Sequence, residues 1–143
     1  MRIGKLLDSK GHSVVTVRPD DTVWKVLAEL HDHRVGALVV SEDGHRLDGI
    51  ISERDIVRQL HLRGASVLDQ TVAALMVPEV LTIGPDEEVE SLMAVMTTNR
   101  VRHVPVVGDG DLLGIVSIGD VVKQRVDALE GDNRALHDNI NAR

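Results

Sequence analysis

The sequence predicts a mixed α/β (α+β) fold made of two tandem copies of one strand–helix–strand–strand–helix unit. The first observation is an internal repeat: residues 14–41 align with residues 80–107 at nine identical positions, and residues 47–58 align with residues 112–123 at six more. Such repetition indicates that each copy is one structural unit that packs on the other. The second observation is that the apolar spacing within each copy switches between the strand period and the helix period.

Each copy opens with a β-rich apolar run, 14–17 in the first copy and 80–83 in the second. A proline follows each run, and proline cannot donate to a strand ladder, so we expect two short opening strands. A helix follows each strand, because apolar residues recur there at spacings of three and four. These positions are Val23, Val26, Leu27 and Leu30 in the first copy, and Val89, Leu92, Met93 and Met96 in the second.

Two short apolar runs around a polar turn then predict a hairpin in each copy, over 37–51 and 104–116. A serine at the end of each hairpin opens a closing helix, from Asp55 to about Leu62 and from Asp120 to about Leu129. Residues 63–74 are predicted to form a connector with some helix in it.

The end of the chain is polar beyond Gly131, with only Leu136 and Ile140 at helical spacing. Two interpretations stay open for this tail, a short helix against a partner subunit and a loose end. The chain therefore divides into a first repeat with its N-terminal segment and connector (1–74), a second repeat (75–130) and the tail (131–143).

Composition argues against several classes of function. The net charge is -7 and Trp24 is the one aromatic residue, whereas proteins that bind single-stranded nucleic acid present aromatic faces and a basic groove. The absence of cysteine rules out disulfides, thiolate metal sites and a cysteine nucleophile. No stretch approaches the roughly 20 apolar residues that span a membrane, so we expect a cytoplasmic protein.

Metal and catalytic motifs are also missing from the sequence. His31 and His33 stand two apart on a predicted helix and do not face the same ion, so no metal site is predicted. Neither a nucleophile elbow, a phosphate-binding Walker loop nor a zinc-protease motif is present. The sequence therefore predicts a protein that is not an enzyme.

The most informative motif is a Gly-x-x-Ser-x-x-Asp segment that occurs twice, at 49–55 and 114–120. In each copy it places Ser and Asp three residues apart where a strand passes into a helix. One interpretation is a capping box, in which the two side chains satisfy free backbone amides. The other is a ligand site, because a helix N-terminus offers amide donors and a nearby carboxylate can accept both hydroxyls of a ribose.

With these residues the chain resembles the CBS-domain family over about residues 1–129. The resemblance rests on the tandem unit, on the repeated Gly-x-x-Ser-x-x-Asp signature and on the His-Val-Pro-Val segment at 103–106. It implies that the repeats pack through their sheets with pseudo-twofold symmetry, and that two clefts between them bind adenosine ligands. AMP and NAD are the first candidates, and ATP, ADP and S-adenosylmethionine are further ones.

Carried over by position, the resemblance assigns residues to both clefts. Site 2 comprises Thr82, Arg102, His103, Val104, Pro105, Ser117 and Asp120, and site 1 comprises Thr16, Ala37, Val39, Ser52, Arg54 and Asp55. The aspartates are implied ribose contacts, with the serines beside them and the threonines near the adenine. Arg102 and His103 are implied phosphate contacts, with a solvated basic edge as the alternative. Site 2 ranks first, because the first copy lacks the matching basic residues.

The function that the resemblance implies is a sensor of energy or metabolite state, which binds an adenine nucleotide and signals through a ligand-dependent conformational change. A separate effector protein would read the signal, and family members commonly pair as a flat homodimer. Two alternatives stay open: a protein-interaction scaffold with vestigial clefts, and a nucleotide hydrolase that uses Asp120 and His103.

Overall fold

The computed structural model describes the backbone of residues 1–141 and the side chains of residues 1–137. Its elements, in chain order, are α1 (Ile3–Lys10), β1 (Thr16–Val17), α2 (Val23–His33), β2 (Ala37–Val40), β3 (Gly49–Ser52), α3 (Glu53–Arg63), a 3-10 helix (Ala65–Asp69), α4 (Val72–Leu75), α5 (Val89–Asn99), β4 (His103–Gly108), β5 (Asp111–Ser117) and α6 (Ile118–Asn141). The predicted mixed α+β class and the predicted helical connector are confirmed.

The first repeat is a three-stranded sheet with helices packed on it. The strand order is β1-β2-β3, with β1 parallel to β2 and β2 antiparallel to β3. All four residues of β2 are buried, as expected for a central strand covered on both faces. Leu38 and Ile51 of the sheet share one apolar core with Val26 of α2 and Ile56 of α3.

The second repeat lacks the opening strand that the sequence predicts at 80–83. Its sheet contains only β4 and β5, and the opening run contributes one parallel bridge, Ile83 to Val106. Ile83 donates its amide to Pro105, but Pro105 has no N–H to return to residue 81, so the ladder cannot extend. In the first repeat the matching residue is Val39, whose amide does reach Val15, at 3.4 Å.

Segments outside the repeated unit complete the apolar core of each repeat. Ile3, Leu6 and Leu7 of α1 are buried in the core of the second repeat. Val67 and Val72 of the connector are buried in the core of the first. The boundary between residues 74 and 75 follows the sequence and stays a prediction, whereas in space α1 packs with the second repeat.

The signature glycines make room for other segments of the chain. A Cβ atom on Gly49 would lie 2.9 Å from the carbonyl oxygen of Val77, which pairs with Ile50 at the edge of β3. A Cβ atom on Gly114 would lie 2.7 Å from a methyl carbon of Leu7 in α1. Each glycine is therefore required by the close approach of another segment.

The last helix is longer than the sequence predicts. The closing helix of the second repeat was expected to end near Leu129, but α6 runs through Gly131 to Asn141 without a break. Glycine inside a helix costs about 1 kcal/mol and does not by itself end one, and no proline follows it. The predicted separate tail is thus the second half of α6, except for residues 142 and 143, which lie outside the described residues.

Candidate ligand cavity between the two repeats

A cavity of about 560 Å³ opens between the two repeats, within the range of roughly 300–1,000 Å³ that is usual for small-molecule sites. The starts of α3 and α6, the approach to β4 and the chain after α4 form its walls. Its lining residues are Gly36, Ala37, Ile50, Ser52, Glu53, Arg54, Asp55, Arg58, Val77, Glu79, Val80, Leu81, Arg100, Val101, Arg102, His103, Ser117, Ile118 and Gly119. Matching positions of the two repeats, such as Ser52 and Ser117, therefore face one space.

The first signature motif forms a complete capping box at this cavity. The Ser52 hydroxyl accepts from the Asp55 amide at 3.2 Å, and Asp55 Oδ2 accepts from the Ser52 amide at 2.9 Å and from the Ser52 hydroxyl at 2.8 Å. These contacts satisfy free donors at the start of α3. Both bonds that the Asp55 carboxylate accepts fall on Oδ2, so its second oxygen has no hydrogen-bond partner among the described residues.

The second signature motif has the same cap but a different surrounding. Asp120 Oδ2 accepts from the Ser117 amide at 2.8 Å, and the Asp120 amide donates to the Ser117 hydroxyl at 3.2 Å. The Lys10 ammonium of α1 also lies 2.8 Å from Asp120 Oδ2, with both side chains 25% exposed. Asp120 and Lys10 line a separate cavity of about 340 Å³ between α1 and α6.

The electrostatics of Asp120 follow from this contact. Burial by itself would raise the pKa of the carboxyl, but the hydrogen bonds from Lys10 and Ser117 and the charge of Lys10 outweigh it, so the pKa is lowered. Asp120 is therefore a carboxylate at neutral pH with a cation already bound to it. The sequence could not indicate this partner, which stands 110 residues away.

Four arginines line the larger cavity, Arg54 and Arg58 from α3 and Arg100 and Arg102 from the approach to β4. The carboxylates that line it are Glu53, Asp55 and Glu79, so the lining is net positive by one charge in a chain of net charge -7. Within residues 1–137, none of the four guanidinium groups forms a salt bridge. This excess of cations without partners favours an anionic ligand.

His103 lies beside the arginines and is half-buried. Burial lowers its pKa the most, and the neighbouring charge of Arg102 lowers it further, whereas Glu53 and Asp120 partly oppose the shift. Its ring also lies close to Gly36 of the first repeat, where an added Cβ atom would be 3.2 Å from the ring. His103 is therefore neutral at pH 7 when the cavity is empty, and can become protonated when an anion binds.

The structure brings together part of each predicted site. Seven of the predicted residues line the larger cavity: Ala37, Ser52, Arg54, Asp55, Arg102, His103 and Ser117. The other six do not line it: Thr16, Val39, Thr82, Val104, Pro105 and Asp120. Val39 and Val104 are fully buried in the sheets. The roles assigned to all thirteen residues stay predictions.

Sequence reasoning missed several lining residues. Arg58 lies one helical turn after Arg54, a spacing that could have indicated a basic face on α3. Val80 and Leu81 line the cavity because the predicted strand does not form there. Arg100 also lines the cavity, and the sequence analysis did not assign it to a site.

Comparison with known proteins identifies the family. The profile of the CBS domain matches this chain twice, over residues 10–62 and 72–127. The chain belongs to the CBS-domain family. The predicted resemblance is thus confirmed for both repeats.

Individual relatives agree with this assignment. The mitochondrial CBS domain-containing protein CBSX3 of Arabidopsis thaliana is 40% identical over 129 residues, which are 85% of this chain and 63% of that protein. The crystal structure of the CBS-domain protein ATU1752 from Agrobacterium tumefaciens has a TM-score of 0.83 and 44% identity, and covers 87% of this chain and 99% of the other.

A more distant structure shows the same fold with ligands. The CBS domain pair of protein MJ0100, solved with 5′-methylthioadenosine and S-adenosyl-L-methionine, has a TM-score of 0.78 at 24% identity. It covers 90% of this chain and 98% of that chain.

Two features are absent from the described part of the chain. Among residues 1–141, no helix is both long enough and apolar enough to cross a membrane. Among the side chains of residues 1–137, no three or more His, Asp or Glu are grouped so that they could hold a metal ion.

Proposed function

We propose that this CBS pair is a regulatory protein that binds a phosphate-bearing adenosine ligand between its repeats and signals by a ligand-dependent change of conformation. The observation that carries the proposal is the cavity with four arginines, two helix N-termini and the Asp55 carboxylate. Cations and helix N-termini suit phosphate, and a carboxylate suits ribose hydroxyls. AMP and NAD lead, followed by ATP and ADP.

The ligands of the MJ0100 pair support the adenosine part of this proposal, since 5′-methylthioadenosine and S-adenosylmethionine share that group. Neither carries a phosphate, so the arginines favour a nucleotide over S-adenosylmethionine for this chain. A sensor also needs two states that the ligand distinguishes. Here both repeats supply lining residues, within 52–58 in the first and over 100–103 in the second, so a bound ligand acts on the relative placement of the repeats.

The proposal includes a homodimer in the cytoplasm and a separate effector protein. It does not include catalysis. A hydrolase that used Asp120 with His103 would need the carboxylate at the reacting phosphate, whereas Lys10 contacts Asp120 at 2.8 Å and Asp120 is not part of the cavity lining. This arrangement supports binding without turnover.

The test is a thermal-unfolding screen against AMP, ADP, ATP, NAD, S-adenosylmethionine, 5′-methylthioadenosine and GTP. A ligand at a hundredfold excess over its dissociation constant stabilises the native state by about 2.7 kcal/mol, which corresponds to roughly 5–10 °C for a chain of this size. We expect a selective shift with a phosphate-bearing adenosine ligand, and recovery of that ligand intact after incubation.

A matched pair of variants locates the binding. Arg102→Ala removes a cavity cation, and Arg46→Ala removes an exposed arginine of the first hairpin turn that does not line the cavity. We expect the first variant to lose most of the thermal shift and the second to keep it. A flat response to all seven compounds would contradict the proposal and favour the scaffold, and release of a hydrolysed product would favour the enzyme.

A further inference from the structure

Within the described part of the chain, the second half of α6 contributes no residue to either apolar core. Val121 is buried against the second core, but every side chain from 125 to 137 is exposed. Residues 125–141 amount to about 26 Å of helix at 1.5 Å per residue. A single helix of this length is marginal in water, and Gly131 in its middle lowers its stability further. A partner helix would therefore stabilise this segment.

The segment carries a heptad pattern of apolar residues. With Val126 as an a position, the a positions are Val126, Asn133 and Ile140, and the d positions are Val122, Leu129 and Leu136. The side chains of the four apolar residues up to 136 are strongly exposed, at 55%, 46%, 59% and 61% for Val122, Val126, Leu129 and Leu136. Gly131 falls at an f position, which faces away from the seam.

We propose that this half of α6 pairs with the same segment of a second chain as a parallel two-stranded coiled coil. β-branched residues at a with leucine at d favour two parallel strands, and a single buried asparagine at a fixes the register. Val126 and Ile140 with Leu129 and Leu136 meet the first condition, and Asn133 meets the second. In an antiparallel pair a positions face d positions, so Asn133 would face a leucine or valine without a hydrogen-bond partner.

The charges beside the seam agree with this arrangement. In a parallel pair, each g residue faces the e residue five positions later on the other helix. Arg125 at g then faces Glu130 of the second copy, and Asp132 at g faces His137 of the second copy. The first contact joins opposite charges, the second places a carboxylate beside an imidazole that can donate to it, and neither brings like charges together. Because the charges of this segment complement those of an identical segment, we infer that the partner is a second copy of the chain.

The rest of the domain leaves space for the second helix. At 3.6 residues per turn, the seam lies about a quarter of a turn from Val121, the residue of α6 that faces the core. Arg125 contacts Glu90 of its own chain at 3.5 Å, but both side chains are about half exposed. Replacing this ion pair by one with Glu130 of the second copy therefore costs little. The inference specifies the homodimer of the proposed function and does not depend on ligand binding.

The test uses all 143 residues. Because the sequence contains no cysteine, single cysteines can also be introduced for crosslinking. Sedimentation equilibrium should show a dimer for the wild type and for Ala135→Asp, which changes a c position. Leu136→Asp changes the next residue, which is at a d position. It should raise the dissociation constant of the dimer roughly a hundredfold, because each copy loses a buried leucine. The ligand-induced thermal shift should be the same in all three proteins, which separates this test from the ligand proposal.

Crosslinking tests the orientation. Under mild oxidation, Asn133→Cys should form a disulfide-linked dimer, since a positions of parallel helices face each other within disulfide reach, whereas Ala135→Cys should not. A monomeric wild type, a Leu136→Asp variant that remains a dimer, or equal crosslinking at 133 and 135 would each overturn the coiled coil.

Discussion

The roles of the two signature aspartates can be distinguished by a matched pair of substitutions, Asp55→Ala and Asp120→Ala. Each variant loses the acidic half of a capping box, which stabilises by about 1 kcal/mol. Asp120→Ala also leaves the Lys10 ammonium, which is 25% exposed, without its carboxylate. A hydrogen bond to a charged group contributes roughly 1.5–3 kcal/mol. We therefore expect a loss of about 1 kcal/mol for Asp55→Ala and roughly 2–4 kcal/mol for Asp120→Ala.

Ligand affinity should show the opposite order. Asp55 lines the 560 Å³ cavity and Asp120 does not. If the Asp55 carboxylate accepts from ribose hydroxyls, its removal should weaken binding by roughly 10- to 150-fold, the equivalent of one charge-assisted hydrogen bond. Asp120→Ala should change the affinity by no more than about threefold, since it alters only a neighbouring cap.

The assays are urea unfolding for stability, and calorimetric titration with the ligand that the thermal screen selects. The ranking drawn from the sequence makes a different prediction, because it places the stronger site at Asp120. If Asp120→Ala loses affinity and Asp55→Ala keeps it, the ligand displaces Lys10 and the reasoning from the cavity is wrong. If both variants keep wild-type affinity, the carboxylates are caps only.

Two further predictions concern His103 and the signature glycines. Because the folded protein holds the pKa of His103 below the unfolded value of about 6.5, the unfolded chain takes up the proton first as the pH falls. The free energy of unfolding should therefore decrease below about pH 6.5 until the folded-state pKa is passed, and this slope should be smaller in His103→Asn, as measured by urea unfolding between pH 7.5 and 5. Slopes that are equal in the two proteins would show that His103 titrates normally. Gly49→Ala should cost more stability than Gly114→Ala, within the roughly 1–3 kcal/mol typical of overpacking, because the new methyl meets the backbone oxygen of Val77 in the first case and the mobile end of Leu7 in the second. Calorimetric melting temperatures check the order, and equal losses would contradict the argument from backbone contact.

Much of the fold could be predicted because the sequence contains two copies of one unit, and the two copies can be compared with each other. Matching patterns in the two copies distinguish strands and helices from chance runs, and the Ser-x-x-Asp spacing correctly indicated both caps. The missing strand at 80–83 was predictable in principle. Val39 and Pro105 occupy matching positions in the sequence, and only Val39 has the amide that the second ladder bond requires.

The candidate site was predicted less completely, since its decisive contacts are not local. Nothing near Asp120 in the sequence indicates that Lys10 of α1 binds it. Likewise, nothing near Asp55 indicates that Arg100 and Arg102 of the other repeat lie on the same cavity. Periodicity assigns residues to the faces of one helix or strand, but it does not say which segment from elsewhere in the chain covers that face.

One stretch of the chain is hydrogen-bonded to the sheets of both repeats. Residues after α4 pair with β3 of the first repeat through Val77 and continue along the cavity wall to Leu81, then reach β4 of the second repeat through Ile83. A ligand in the cavity thus contacts the stretch of chain that is hydrogen-bonded to both sheets. Because interfaces between packed units change in discrete steps, a ligand that prefers one placement of this stretch shifts the relative placement of the repeats by its difference in affinity.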